Sequence, residues 1–151
     1  MSNSIINYKN KYFNPNDSIL ILSLYQLRRF TNEENIPNWF HQYLTNVVDE
    51  IIESLPIGWC DLELDEYFES KYKNIFFIDL IKRCITNLNI KNINFINNDE
   101  INKLFKLEGI EKWDEKRYIL ISDIVECLKD LILLLDEEVT HENQRLKFYK
   151  L

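Results

Sequence analysis

The chain has 151 residues, a formal net charge of −7 and a pI near 4.9, with 46% apolar and 28% charged residues. That length suits one domain, 1–151, with a single continuous core, and the composition excludes wholesale disorder. The acidic balance excludes an ordinary nucleic-acid binder, which would turn a basic face to phosphates, and two glycines with three prolines are poor material for a barrel or sandwich of many tight turns.

The first dozen residues, rich in Asn, Lys and Tyr, read as a lead-in segment. Asn14-Pro15-Asn16-Asp17 then supplies a helix start, with a capping side chain and a proline tolerated in the first turn. From Ser18 to Phe30 the residues Ile19, Leu20, Ile21, Leu22, Leu24, Tyr25, Leu27 and Phe30 leave few polar positions. A helix apolar nearly all round is a buried one, which puts this segment at the centre of the core. Thr31 to Asn38 breaks the pattern. Asn38 reads as the N-cap of a second helix running to about Leu55, in which Phe40, Tyr43, Leu44, Val47, Val48, Ile51, Ile52 and Leu55 recur at three- and four-residue steps. Pro56-Ile57-Gly58 ends it.

The segment Asp61 to Glu69 holds five carboxylates, Asp61, Glu63, Asp65, Glu66 and Glu69. Alternation at its start hints at a strand, whereas the spacing of Phe68, Tyr72 and Phe76 fits a helix better. A further helix is expected from about Lys73 to Leu88 on Phe76, Phe77, Leu80, Ile81, Cys84, Ile85 and Leu88. Residues 87–98 contain six asparagines, which is loop chemistry, with Ile93 and Phe95 leaving a short strand open there. Asn98 or Asp99 can cap a short helix through Leu107, closed by Gly109. A loop around Trp113 leads to a last long helix opening at Ser122, whose stripe is Ile124, Cys127, Leu128, Leu131, Leu135 and Val139. The expected fold is therefore all-α: a single-domain bundle of about five to six helices on short connections, with room for one short strand pair.

No membrane span is expected, because Ile19–Leu22 is too short and Tyr118–Leu135 is interrupted by Asp123, Glu126, Lys129 and Asp130. Cys60, Cys84 and Cys127 are widely spaced and odd in number, and Met1-Ser2-Asn3-Ser4 opens no signal peptide, so reduced thiols in the cytoplasm are the simplest expectation. Gly58 and Gly109 cannot build a phosphate-cradling loop, and no Gly-x-Ser-x-Gly elbow occurs. No cofactor is expected. Glu138 and His141 have helical metal-ligand spacing, but Asn38 stands where a matching Glu before His41 would be needed. Asp61, Glu63 and Asp65 imitate a calcium loop that fails at Glu66, where glycine is required, and at Tyr72, where a bidentate glutamate is. Asp114-Glu115-Lys116 resembles half of a nuclease site without its preceding hairpin. His41 and Cys60 each lack a visible catalytic partner, so no enzyme is expected.

Charge distribution remains. One acidic run is Asp61 to Glu69, flanked by Trp59 and Tyr67. A second is Asp99, Glu100, Glu108, Glu111, Asp114 and Glu115 around Trp113, and a third is Asp136, Glu137, Glu138 and Glu142. Such runs are usually solvated faces. They also suit docking of a basic protein, with carboxylates speeding encounter and aromatic anchors holding the complex. The candidate partner-binding residues are Asp61, Glu63, Asp65, Glu66, Glu69, Glu111, Trp113, Asp114 and Glu115.

The absence of Ala and the wealth of Asn, Ile and Lys read as AT-rich coding, suggesting a bacterial source. Together with the stretch from Gly109 to Ile124 (Gly-Ile-Glu-Lys-Trp-Asp-Glu-Lys-Arg-Tyr-Ile-Leu-Ile-Ser-Asp-Ile), this small, acidic, motif-free chain resembles the immunity proteins of contact-dependent growth inhibition and related toxin systems. The resemblance implies a cytosolic inhibitor that binds a cognate toxin domain, often a basic nuclease, and occludes its active or substrate-binding site. No direct contact with nucleic acid or membrane is expected, on the acidic charge and the interrupted apolar runs given above. The alternative is a helical regulatory or scaffolding module holding a peptide or helix in a groove.

Overall fold

The computed structural model describes residues 3–53, 60–104, 118–142 and 145–149. Its architecture is α+β, which overturns the all-α expectation: a four-stranded mixed sheet and a two-stranded ribbon accompany the helices. The supposed lead-in is a β-hairpin, β1 (Ile5–Tyr8) and β2 (Lys11–Phe13), paired antiparallel from Ile6↔Phe13 to Tyr8↔Lys11. Its cue is a period of two, in which Ile6, Tyr8, Lys11 and Phe13 point inward. The hairpin lacks the usual Asn-Gly turn signal. Lys9 takes the left-handed backbone instead, at φ 55°.

α1 (Asp17–Thr31) starts where expected, with the Asn16 carboxamide oxygen accepting from the N–H groups of Ser18 (3.0 Å) and Ile19 (3.3 Å). Leu20, Ile21, Leu22, Leu24 and Leu27 are buried, so this helix does run through the core. The second helical run begins as α2 (Asn38–Tyr43), with Pro37 rather than Asn38 in the capping position. It continues through a π-helical segment (Leu44–Asp49) into α3 (Glu50–Glu53). Arg28 of α1 pins that segment, its Nε donating to Asp49 at 2.9 Å. The expected end at Leu55 and the Pro56–Gly58 stop lie outside the described residues.

β3 (Asp61–Glu63) pairs in parallel with β1, and a single helical turn, α4 (Asp65–Phe68), follows it. The acidic run thus divides between strand and helix. α5 (Lys71–Ile90) is capped by Ser70 and stopped by Asn92, whose φ of 51° is the left-handed conformation that closes helices. β4 (Phe95–Ile96) takes the strand alternative within residues 87–98 and pairs with β5 (Ile119–Leu120). α6 (Asn98–Leu104) lies between them in sequence; Leu107 and Gly109 lie outside the described residues. α7 (Ile121–Leu135) ends before Val139, and β6 (Lys147–Phe148) completes a sheet of order β3-β1-β2-β6.

α1, α5 and α7 pack together, and α7 also lies against β1 and β2. The buried apolar side chains form one cluster contributed by helices and sheet alike. Two polar anchors tie these layers. Tyr8 Oη donates to the Phe68 carbonyl at 2.7 Å, while Asn74 Nδ2 donates to Tyr8 Oη (3.2 Å) and to the Leu135 carbonyl (2.7 Å). Lys11, only 4% exposed, donates to the carbonyls of Leu133, Asp136 and Val139, closing the C-terminus of α7 with a cation.

Candidate partner-binding surface

Within the acidic run, Asp61, Glu63, Asp65, Glu66 and Glu69 are all exposed. The pleat of β3 explains the first two: Leu62 turns inward, so its neighbours must face solvent. Buried Leu64 and Phe68 do the same for α4, leaving Asp65 and Glu66 outside. Asp65 already has a structural task, accepting from the main-chain N–H of Lys9 at the strained hairpin turn. Asp61, Glu63, Glu66 and Glu69 make no ion pair or side-chain hydrogen bond with the described residues.

The other acidic groups differ. Glu137 pairs with Lys9 at 2.5 Å, Glu142 accepts from the N–H of Phe148 at 3.1 Å, and Asp136 accepts from the N–H of Glu138 at 3.0 Å. Glu100 lies 3.8 Å from Arg29. The third acidic group is thus largely occupied within the fold. Glu111, Trp113, Asp114 and Glu115, with Glu108 and Trp59, lie outside the described residues, as does most of the Gly109–Ile124 stretch.

A partly exposed aromatic cluster lies at positions that the sequence did not mark as candidate anchors. Trp39 of α2 packs edge-on against Phe68 of α4 (ring centroids 6.1 Å) and against Tyr72 (6.4 Å) and Phe76 (5.2 Å) of α5. Tyr72 is 67% and Ile75 47% exposed, so part of this cluster is open to solvent beside Glu69. Lys73 Nζ sits 5.0 Å from the Trp39 ring centroid, a cation already seated on the indole face. The available signal was on α5: Tyr72 and Ile75 are three apart but off the buried stripe of Phe77, Leu80, Ile81 and Cys84. Tyr67, expected as a flanking anchor, is half-buried against Tyr43, with ring centroids 5.1 Å apart.

Groups capable of catalysis are dispersed. His41 and His141 are exposed. Burial pushes the Cys60 thiol up, and it pushes those of Cys84 and Cys127 up to about 12, opposite to the shift that activates a nucleophile. Among the described residues, no three His, Cys, Asp or Glu side chains are grouped to hold a metal ion. A cavity of about 380 Å³ lies between the Phe13–Ile19 stretch and α7. Two of its three carboxylates are paired with Arg145, Glu126 at 2.6 Å and Asp130 at 2.8 Å, and the third is Asp123. No described helix is long and apolar enough to cross a membrane.

Comparison with protein-family models, with curated proteins and with solved structures found no match to this chain.

Proposed function

We propose that this protein is an immunity-type inhibitor, which acts in the cytoplasm by binding a basic toxin domain and occluding its active or substrate-binding site. One observation carries the reading. Four carboxylates without partners among the described residues, Asp61, Glu63, Glu66 and Glu69, share a short segment that adjoins the partly open Trp39–Tyr72–Phe76 cluster. Unpaired surface carboxylates steer a basic partner, and an adjoining aromatic group gives the complex a slow off-rate. The function is occlusion, without a chemical step. The lysines and arginines that a nuclease uses for phosphates are the groups these carboxylates would engage.

The test is a pull-down from the native cell at high salt, followed by kinetics with the captured partner. One stoichiometric basic protein is the expected result. Reversing Asp61, Glu63, Glu66 and Glu69 to lysine is expected to slow association at least about tenfold at low salt and much less at high salt. Capture of no partner, or unchanged association by the reversed variant, overturns the reading.

A further inference from the structure

β3 is an edge strand of the described sheet, and its pairing with β1 uses half of its main chain. In the register Ile5↔Asp61, Ile6↔Leu62, Asn7↔Glu63, the ladder is bracketed by Ile5 N–H donating to the Cys60 carbonyl (2.9 Å) and Leu64 N–H donating to the Asn7 carbonyl (3.0 Å). Alternate residues of a parallel strand bond to a given neighbour. Cys60, Leu62 and Leu64 therefore serve β1, while the N–H and C=O groups of Asp61 and Glu63 point to the other edge. No described strand pairs there. Such an edge is a template for a further strand.

The charges on it select the occupant. Asp61 and Glu63 lie on the outer face, so a second copy of this chain would bring like charges into opposition, a destabilising cross-strand pair. A strand with Lys or Arg beside Asp61 and Glu63 would place opposite charges there, and its intervening side chains would fall on the face of Leu62 and Ile6, where the apolar core begins. We propose that the outer edge of β3 is a strand-acceptor site for an extended segment of a protein partner in which basic residues alternate with apolar ones. This deepens the inhibitor reading and rests on it: carboxylates attract the partner, and main-chain hydrogen bonds at β3 fix its register.

The probe is a synthetic seven-residue-class peptide alternating lysine with valine, beside a control of the same composition with its lysines in one block. Amide exchange is followed by NMR on the intact protein. The alternating peptide is expected to protect the amides of Asp61 and Glu63, and the block control is expected to bind at least about tenfold more weakly. Glu63→Pro removes one outward N–H and leaves the β1 ladder bonds in place, so it should lose that preference. Glu63→Gln should retain part of it. Equal binding of both peptides, or no protection of those two amides in the unaltered protein, overturns the strand-acceptor site and leaves the inhibitor reading to its own pull-down test. Protection that rises with protein concentration in the absence of peptide makes a second copy the occupant and overturns the proposal as well.

Discussion

Tyr8 and Asn74 stand 66 positions apart in the chain, yet the Asn74 carboxamide donates to the Tyr8 hydroxyl at 3.2 Å in the buried interior. That contact joins the first strand to α5, and through the second Asn74 bond to the end of α7. Three elements distant in sequence are registered by one polar side chain.

Asn74→Ala should leave the buried Leu135 carbonyl without a donor and cost about 1–3 kcal/mol of stability in urea denaturation. Tyr8→Phe should cost about 1–2 kcal/mol, because the Phe68 carbonyl loses its partner. Because the two residues share a hydrogen bond, the double variant should lose less than the sum of the singles. Strict additivity would show that the network does not act as a unit.

Lys11→Met keeps the apolar stem but removes the cation that satisfies three carbonyls around the end of α7. A loss of about 2–3 kcal/mol is expected, with hydrogen exchange quickening first in the last turn of that helix. A loss under about 0.5 kcal/mol would mean that these carbonyls find other donors.

Stability should decline at alkaline pH. Cys84 and Cys127 have thiols raised by burial from 9.0 to about 12, so between these values the unfolded chain ionises and the folded one does not. Their contribution is complete below pH 9 and is lost as pH rises toward 12, by up to about 1.4 kcal/mol per pH unit for each thiol. Burial lowers the Lys11 ammonium, so Lys11 acts in the opposite sense, favouring the fold as pH rises toward 10.5. Urea midpoints of the Cys84→Ala/Cys127→Ala variant measured from pH 9 to 10 should show a shallower fall than those of the parent. An identical slope would remove the thiols as the cause.

At the end of α5, Asn92 holds φ at 51°, a conformation open to glycine at no steric cost. Asn92→Gly should therefore be neutral or stabilising by about 0.5 kcal/mol, whereas Asn92→Val should cost about 1–2 kcal/mol. Thermal melts of the two variants suffice. Equal melting temperatures would mean that the backbone relaxes at this position.

The helical parts of the fold were legible because helix formation leaves local marks. Asn16 caps α1, Leu20 to Leu27 show its burial, and the Phe77–Leu88 stripe marks α5. The sheet was not. β1 and β2 each supply only a few residues, their turn uses Lys9 instead of glycine, and β3 and β6 reach the hairpin from positions far along the chain.

The sequence by itself determined the acidic net charge and the central burial of α1, since composition and periodicity act locally. Tertiary structure alone decided which carboxylates find partners among the described residues. Glu137 is matched by Lys9 across 128 positions, whereas Glu66 and Glu69 meet no cation among the described residues. It also brought Trp39 to Tyr72 and left one edge of β3 without a described neighbour. Pairing between distant residues depends on where the packed core places them, and no local pattern encodes that position.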